Sequence, residues 1–468
     1  MKFTILSHAG MLIEAAGTKL VCDPWILGSC HWRSWWNYPK AAEFRKDDVN
    51  FIYLTHLHWD HFHGPSLRKF PKSATILVPA EPSTRMMDDL VGFGFAKIIE
   101  LPHGKTHTLA PGLRVTSYQF GLALDSVLVV DDGCTVLVNM NDCKIRGLSL
   151  RYLIKRHPKV DFLFRSHSSA QAYPVCVEAS NLAELRYRTN EDYMEDFIAA
   201  TRLVRPRYAI PFASNHCFLH KETRHFNDTV VSPIHVKRSF DRNKPAASEC
   251  VVMVPGDSWD SQRGFHLQEH TFFSDRDRHL DEYAAEVAPI LEDYYRKEDA
   301  VQVPFGAFEH YFRGLMDSLP WFSRFLFKPV VAFQVRQNPQ TLWVLDFEKK
   351  EIFEAPSGSV NYSFRITVHA SVLWECVVKG MFTVFTPSKR LAVHANEGGV
   401  KDFFIFSQLL ELYEYGFLPL RKCFSSRSLR SWALRWRELV DYSSAVLRAL
   451  WHRGSSDPVR EFVPRISA

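Results

Sequence analysis

Apolar and polar residues alternate over short stretches through the first half of the chain. Residues 2–6, 11–15 and 19–22 read as three strands, the last two joined by the turn Ala16-Gly17-Thr18. Val49, Phe51, Ile52 and Tyr53 give a further strand. After it the pattern predicts a short helix over 65–70, a strand over 75–78, a helix over 83–96 and a strand over 97–101. Strands at 113–118, 125–130 and 135–139 follow, then a helix at 148–156, a strand at 160–164, a helix at 190–204 and a strand at 207–211. Mixed strands and helices of this length predict an α/β unit.

From Gly256 to Arg278 the composition turns polar, with Asp257, Asp260, Arg276 and Asp277, which predicts a linker; 279–296 reads as helix. Strands return at 330–335, 341–347, 362–368, 381–385 and 391–395, followed by a helix at 401–415. In the tail, Arg427, Arg430, Arg435, Arg437 and Arg448 interleave with Trp432, Leu434, Trp436, Leu439 and Leu447. That spacing describes a basic amphipathic helix, which either packs on its own protein with a solvated charged face or lies on an anionic membrane surface. The expected organisation is a metal-binding unit over 1–255, a linker and helical segment over 256–325, an α+β accessory domain over 326–420 and the tail over 421–468.

At 468 residues the chain exceeds one ordinary core, so several domains are expected. A net charge of +5 is mild at this length and carries no nucleic-acid footprint. No apolar run reaches the roughly 18 residues needed to span a bilayer, and the start at Met1-Lys2-Phe3-Thr4 lacks a signal-peptide pattern. Nine cysteines, an odd count without a regular framework, predict free thiols in a reducing compartment. A cytoplasmic protein is the expectation.

The chemistry concentrates in His56-Leu57-His58-Trp59-Asp60-His61, an H-x-H-x-D-H cluster directly after the strand at Phe51–Tyr53. Three imidazoles and a carboxylate within six residues are a set of metal donors that a strand end can aim at one point. Donors of this kind, without a thiolate, suit iron, zinc or manganese.

This cluster resembles the metal-binding signature of the metallo-β-lactamase superfamily. His8-Ala9-Gly10, Cys22-Asp23-Pro24-Trp25, Trp35-Trp36, Asn141-Asp142-Cys143 and Pro211-Phe212-Ala213 resemble one branch of it, the metal-binding domain of cytidine-monophosphate N-acetylneuraminic acid hydroxylases. The resemblance covers roughly residues 1–240. It implies an αββα sandwich carrying one or two ions of iron or zinc. Separately, the order of strands and helix from 330 onward weakly resembles a sterol-carrier-protein-like α+β domain, which encloses an apolar groove.

Carried onto this chain, the resemblance implies metal ligands at His56, His58, Asp60, His61, a bridging Asp142 and a last histidine at His216, with His220 second. Asp60 and Asp142 are the catalytic candidates. Asp23 would support ligands from beneath, though an Asp-Pro turn explains it equally well. His8 and His167 are either pocket residues or ordinary buried histidines. The tryptophan-rich segment 30–38 reads as a structural plug or a substrate wall.

Two departures follow. The superfamily commonly has a further histidine after the strand that here is 115–118, where this chain has Gln119-Phe120-Gly121-Leu122-Ala123-Leu124. The branch's Rieske iron-sulfur domain also finds no counterpart, since a Rieske cluster needs C-x-H and C-x-x-H pairs and only Cys217-Phe218-Leu219-His220 supplies a half. The implied activities are an iron-dependent oxygenase or hydroxylase acting on a small polar, nucleotide-sugar or amide-bearing substrate with electrons from a separate reductase, or a zinc-dependent dinuclear hydrolase. A degenerate metal-binding scaffold is the third class.

Overall fold

The computed structural model describes residues 1–121, 125–185, 189–243 and 247–451. Leu122, Ala123 and Leu124, and His452 with the residues after it, lie outside the described residues.

Two sheets make the first half. Strands Lys2–Ile5, Met11–Ala15, Thr18–Cys22, Phe51–Tyr53, Thr75–Pro79 and Ile98–Leu101 form most of an eight-stranded sheet. Thr106–Ala110, Leu113–Phe120, Asp125–Asp131, Val136–Asn141, Phe162–Arg165, Tyr208–Pro211 and Glu249–Cys250 form the seven-stranded second sheet. Because side chains alternate along a strand, each sheet has two apolar faces. Leu20, Cys22, Tyr53 and Leu77 turn toward the second sheet's Leu128, Val130, Leu137 and Phe164. Val21, Ile52, Ile76 and Val78 turn outward beneath Met86 and Leu90 of helix Arg85–Gly92. Helices Gly147–Arg156, Asn190–Val204 and Pro233–Arg242 cover the outer face of the second sheet. The result is the expected αββα sandwich.

Thr18–Cys22 and Phe51–Tyr53 run parallel, as do Val136–Asn141, Phe162–Arg165 and Tyr208–Pro211. Their C-terminal ends therefore deliver Asp23, the histidine loop, Asp142 and the chain leading to His216 to one edge of the sandwich.

Three elements differ from the sequence reading. Ser258–Asp260 and Gly264–His266, inside the stretch read as linker, are antiparallel strands at the edge of the first sheet: Ser258–Asp260 pairs with Lys2–Ile5, and Gly264–His266 with Ser258–Asp260. The polar composition misled because an edge strand needs only alternate residues inward: Trp259 stacks on Phe3 with ring centroids 5.8 Å apart, while the polar positions stay outside. The expected strand at 381–385 is instead two helical turns, Phe382–Val384 and Phe385–Ser388. A short apolar run has no period of its own, and Pro387 with the left-handed Lys389 (φ 54°) turns the chain. Helices Phe305–Ser318 and Ala370–Lys379 and strand Glu351–Pro356 had no clear sequence signal.

A six-stranded sheet organises the second half: Val330–Val335, Thr341–Asp346, Glu351–Pro356, Phe364–Val368 and Leu391–Ala395, with Val177–Ala179 of the first half added parallel to Leu391–Ala395. The two halves thus share one sheet. The space between this sheet and helices Phe305–Ser318 and Gly399–Glu414 is filled by Phe312, Phe333, Phe364 and Phe406 in ring contact. Among the described residues no helix is long and apolar enough to cross a membrane. Tail residues Arg427 and Arg435 are turned into the protein: Arg427 pairs with Glu100 and Arg435 with Glu438.

Candidate metal centre

Asp23 anchors the histidine loop. It is fully buried in a left-handed conformation (φ 41°). Its Oδ1 accepts the Thr55 N–H at 2.8 Å and its Oδ2 the Thr55 hydroxyl at 2.7 Å. Oδ2 also lies 2.8 Å from His61 Nδ1 and receives the Asn141 side-chain amide. One carboxylate therefore fixes the start of the loop, one ring of the cluster and the residue before Asp142. Such outer partners orient ligating imidazoles.

Around that anchor, two groups of donors share His61. In one, ligand atoms of His56, His61 and Asp142 lie within 4.8 Å of one another, with His61 Nε2 3.2 Å from Asp142 Oδ2. His58 Nδ1 approaches His56 Nε2 at 2.9 Å. In the other, His8, Asp60 and His61 meet, with Asp60 Oδ2 3.3 Å from both His8 Nε2 and His61 Nε2. His8 thus joins the cluster, and Asp142 sits beside His61 rather than equally between the groups.

Other expected residues stand apart from these groups. His216 is buried and stacks on Trp35, ring centroids 3.6 Å apart and 2° from parallel, with His8 at 5.5 Å. His167 Nε2 lies 3.2 Å from the Val231 carbonyl. His220 is bonded at Nε2 to Glu298 (3.1 Å) and accepts the Glu222 N–H at Nδ1, so both nitrogens are engaged away from the cluster. His63 Nδ1 lies 2.7 Å from Ser66 Oγ and its Nε2 3.3 Å from the Ser29 carbonyl, so both nitrogens are engaged away from the cluster. His63→Ala is therefore expected to keep full metal content, measured by elemental analysis, whereas His58→Ala loses it.

Two residues escaped the sequence reading as site members. His31 Nε2 lies 3.1 Å from Asp60 Oδ1. It opens a run of three left-handed non-glycine residues, His31, Trp32 and Arg33 (φ 49°, 54° and 61°), a conformation that costs energy and clusters at functional sites. The excess of aromatics around it was the available signal. Trp32, Trp35 and Trp36 are all buried. The second is Asp125, whose Oδ1 lies 3.3 Å from His56 Nδ1 and makes no hydrogen bond. It stands at the first residue of its strand, immediately after the segment in which the superfamily's extra histidine is missing.

Electrostatics mark the same residues. Burial pushes His56 and His58 down to about 4. Burial likewise raises Asp125 to about 6, with nearby His58 acting against it. Burial alone would raise Asp60, but His61, His31 and His8 hold it well below the usual carboxylate range. His61 is raised because Asp60 and Asp23 outweigh its burial. Both ring nitrogens of His216 are buried without a hydrogen bond. Leaving buried polar atoms unpaired is costly. Imidazole and carboxylate donors packed this closely fit a bound cation, and the residues present are those a metal requires.

Two packed sheets with helices outside and a histidine–carboxylate cluster at their edge define a protein of the metallo-β-lactamase fold. No family model matches the chain. Over 403 residues it is 26% identical to a Mycolicibacterium smegmatis protein named for a Rieske 2Fe-2S iron-sulfur centre, spanning 78% of this chain and 76% of that one. It is 22% identical over 268 residues to the cytidine monophosphate-N-acetylneuraminic acid hydroxylase of Cricetulus griseus, spanning 52% of this chain and 45% of that one. Among solved structures, a metallo-hydrolase of Ignicoccus hospitalis matches with TM-score 0.38 at 16% identity, covering 56% of this chain and 99% of that one. A diiron β-hydroxylase of Streptomyces venezuelae matches with TM-score 0.38 at 13% identity, covering 55% and 53%. The hydroxylase relatives and the donor cluster together support a metal-dependent enzyme.

Proposed function

We propose that the protein is an iron-dependent oxygenase of the hydroxylase type, acting on a small polar substrate. The observation that carries this reading is the mixed donor set, in which the carboxylates of Asp60 and Asp142 stand among His8, His56 and His61. Two imidazoles and a carboxylate with open positions beside them are the donor set of non-haem iron oxygenases. In this reading His56 and His58 would hold one ion with Asp142 beside them, and His8, Asp60 and His61 would hold the other, with His216 nearby; His61 would bind through Nε2 alone, because Asp23 occupies its Nδ1. Iron held by imidazole and carboxylate with open positions supplies dioxygen activation.

The chain's own residues supply the setting. Asp23 and Thr55 fix the loop, Trp32 and Trp35 close one side against water, and Asp60 holds the His8, His31 and His61 rings around it. Hydroxylation consumes an electron pair and two protons beyond those of the substrate C–H bond. A separate reductase or the substrate itself delivers them in this reading. The resemblance to sialic-acid hydroxylases favours a nucleotide-sugar or amide-bearing substrate.

Elemental analysis of protein purified without chelators, followed by an oxygen-electrode assay, tests this. Iron, with an absorption band that changes on exposure to oxygen, is the expected result. Two equivalents of zinc and no oxygen uptake with any reductant would overturn it in favour of a dinuclear hydrolase.

A further inference from the structure

The C-terminal tail holds Gly121, which follows the strand before Asp125, and the N-terminus of the helix that follows Asp142. The tail forms helices Ser426–Leu434 and Trp436–Trp451. At their junction Arg435 and Glu438 form an ion pair with side chains 0% and 1% exposed, at 2.7 Å. A buried pair of this kind is costly unless its remaining valences are met. Here the pair meets most of them on one residue: Arg435 donates to the Gly121 carbonyl at 2.7 Å, and Glu438 Oε1 accepts the Gly121 N–H at 2.8 Å, while Arg435 Nη1 is buried without a hydrogen bond. Gly121 closes the strand that precedes Asp125, so the pair fixes where the chain leaves that strand.

One turn further on, Asp441 accepts the Leu148 N–H with both oxygens, at 3.0 and 3.2 Å. Leu148 lies in the first turn of helix Gly147–Arg156, which the irregular stretch Cys143-Lys144-Ile145-Arg146 joins to Asp142. This helix receives no side-chain hydrogen bond from its own N-cap residue, Arg146. A carboxylate at a helix N-terminus satisfies otherwise orphaned N–H groups and opposes the helix dipole. The fit requires glycine at 147 (φ +56°), where a Cβ would meet the Asp441 carboxylate at 2.6 Å. Asp441 therefore caps, across more than half of the chain, the helix that anchors Asp142.

We propose that Arg435, Glu438 and Asp441 are positioning residues for the metal centre, and that the tail braces the ion position that includes His56 and Asp142. This rests on the metal site proposed above. The tail lies outside the donor groups and acts through Gly121 and the helix that follows Asp142.

The test uses full-length protein loaded with Co2+, reading affinity by titration and geometry by the visible absorption bands. Asp441→Ala removes the cap, and Arg435→Met with Glu438→Met removes both buried charges together, leaving none orphaned. Each is expected to weaken Co2+ binding by about 10–100-fold, as losses of outer partners typically do, and to shift the bands, while far-ultraviolet circular dichroism stays that of the parent. Parent-like affinity and bands in Asp441→Ala overturn the proposal, whether or not the double variant folds. Parent protein that takes up no Co2+ overturns the metal site itself, and the proposal with it. Uptake in the parent that is lost in His58→Ala but unchanged in the tail variants overturns only the tail's role.

Discussion

His61→Ala is expected to empty one ion position and weaken the other, because the one free nitrogen of this ring, Nε2, stands between the two donor groups. Its Nε2 faces Asp142 at 3.2 Å and Asp60 at 3.3 Å, while its Nδ1 is held by Asp23 at 2.8 Å. Removing it also leaves Asp23, Asp60 and Asp142 facing one another without the group that offsets their charge. Metal binding should fall further than the roughly 10–100-fold that loss of an outer hydrogen-bonding partner produces. Asp23→Asn supplies that comparison, since it keeps the shape but loses the charge beneath His61. Isothermal titration with Fe2+ under anaerobic conditions orders the two. If His61→Ala retains binding equal to Asp23→Asn, the assignment of His61 as a ligand is wrong.

Arg390→Ala is expected to give the largest loss of stability. The Arg390 side chain is fully buried and donates to Glu222 at 2.7 Å, Glu298 at 2.9 Å and the Trp32 carbonyl at 3.0 Å. It ties the second half of the chain to the left-handed segment that carries His31. Breaking one partner of a buried ion pair typically costs about 3–5 kcal/mol, and here two carboxylates would lose their cation. An unfolding midpoint in urea equal to the parent's would show that the network does not join the halves.

The pH dependence of that network follows from Glu298. Burial alone would raise its carboxyl, but the hydrogen bond from His220 and the charge of Arg390 bring it from 4.5 down to about 2. A carboxyl depressed by folding contributes stability that is complete above the unfolded value and is lost as pH falls through the folded one. Acid should therefore weaken the junction between about pH 4.5 and 2, and Arg390→Ala should flatten that part of the profile.

These outcomes separate what was readable along the chain from what was not. The loop His56–His61 and the strand before it stood out because ligands and a period of two lie within a dozen consecutive residues. Asp142 was readable because it ends an apolar strand. His8, His31 and Asp125 carried weak signals alone: each is a single polar residue after a turn, and their nearness to Asp60 or His56 exists only once the sheets have closed. His220 shows the converse. It satisfied the spacing expected of a last ligand, yet Glu298 and the Glu222 N–H occupy both its nitrogens, and Glu298 lies 78 positions away.

Sequence alone determined the sandwich and the donor chemistry, since alternation, strand ends and clustered imidazoles are local properties. Tertiary structure decided which donors converge, that Asp125 stands next to His56 where a histidine is missing, and that a tail with the look of a membrane-surface helix turns Arg435, Glu438 and Asp441 inward onto the loops of the metal centre. The physical reason is the same throughout: hydrogen bonds and ligand distances act over about 3 Å. Which residues come that close depends on how the layers pack, and composition and spacing do not contain that distance.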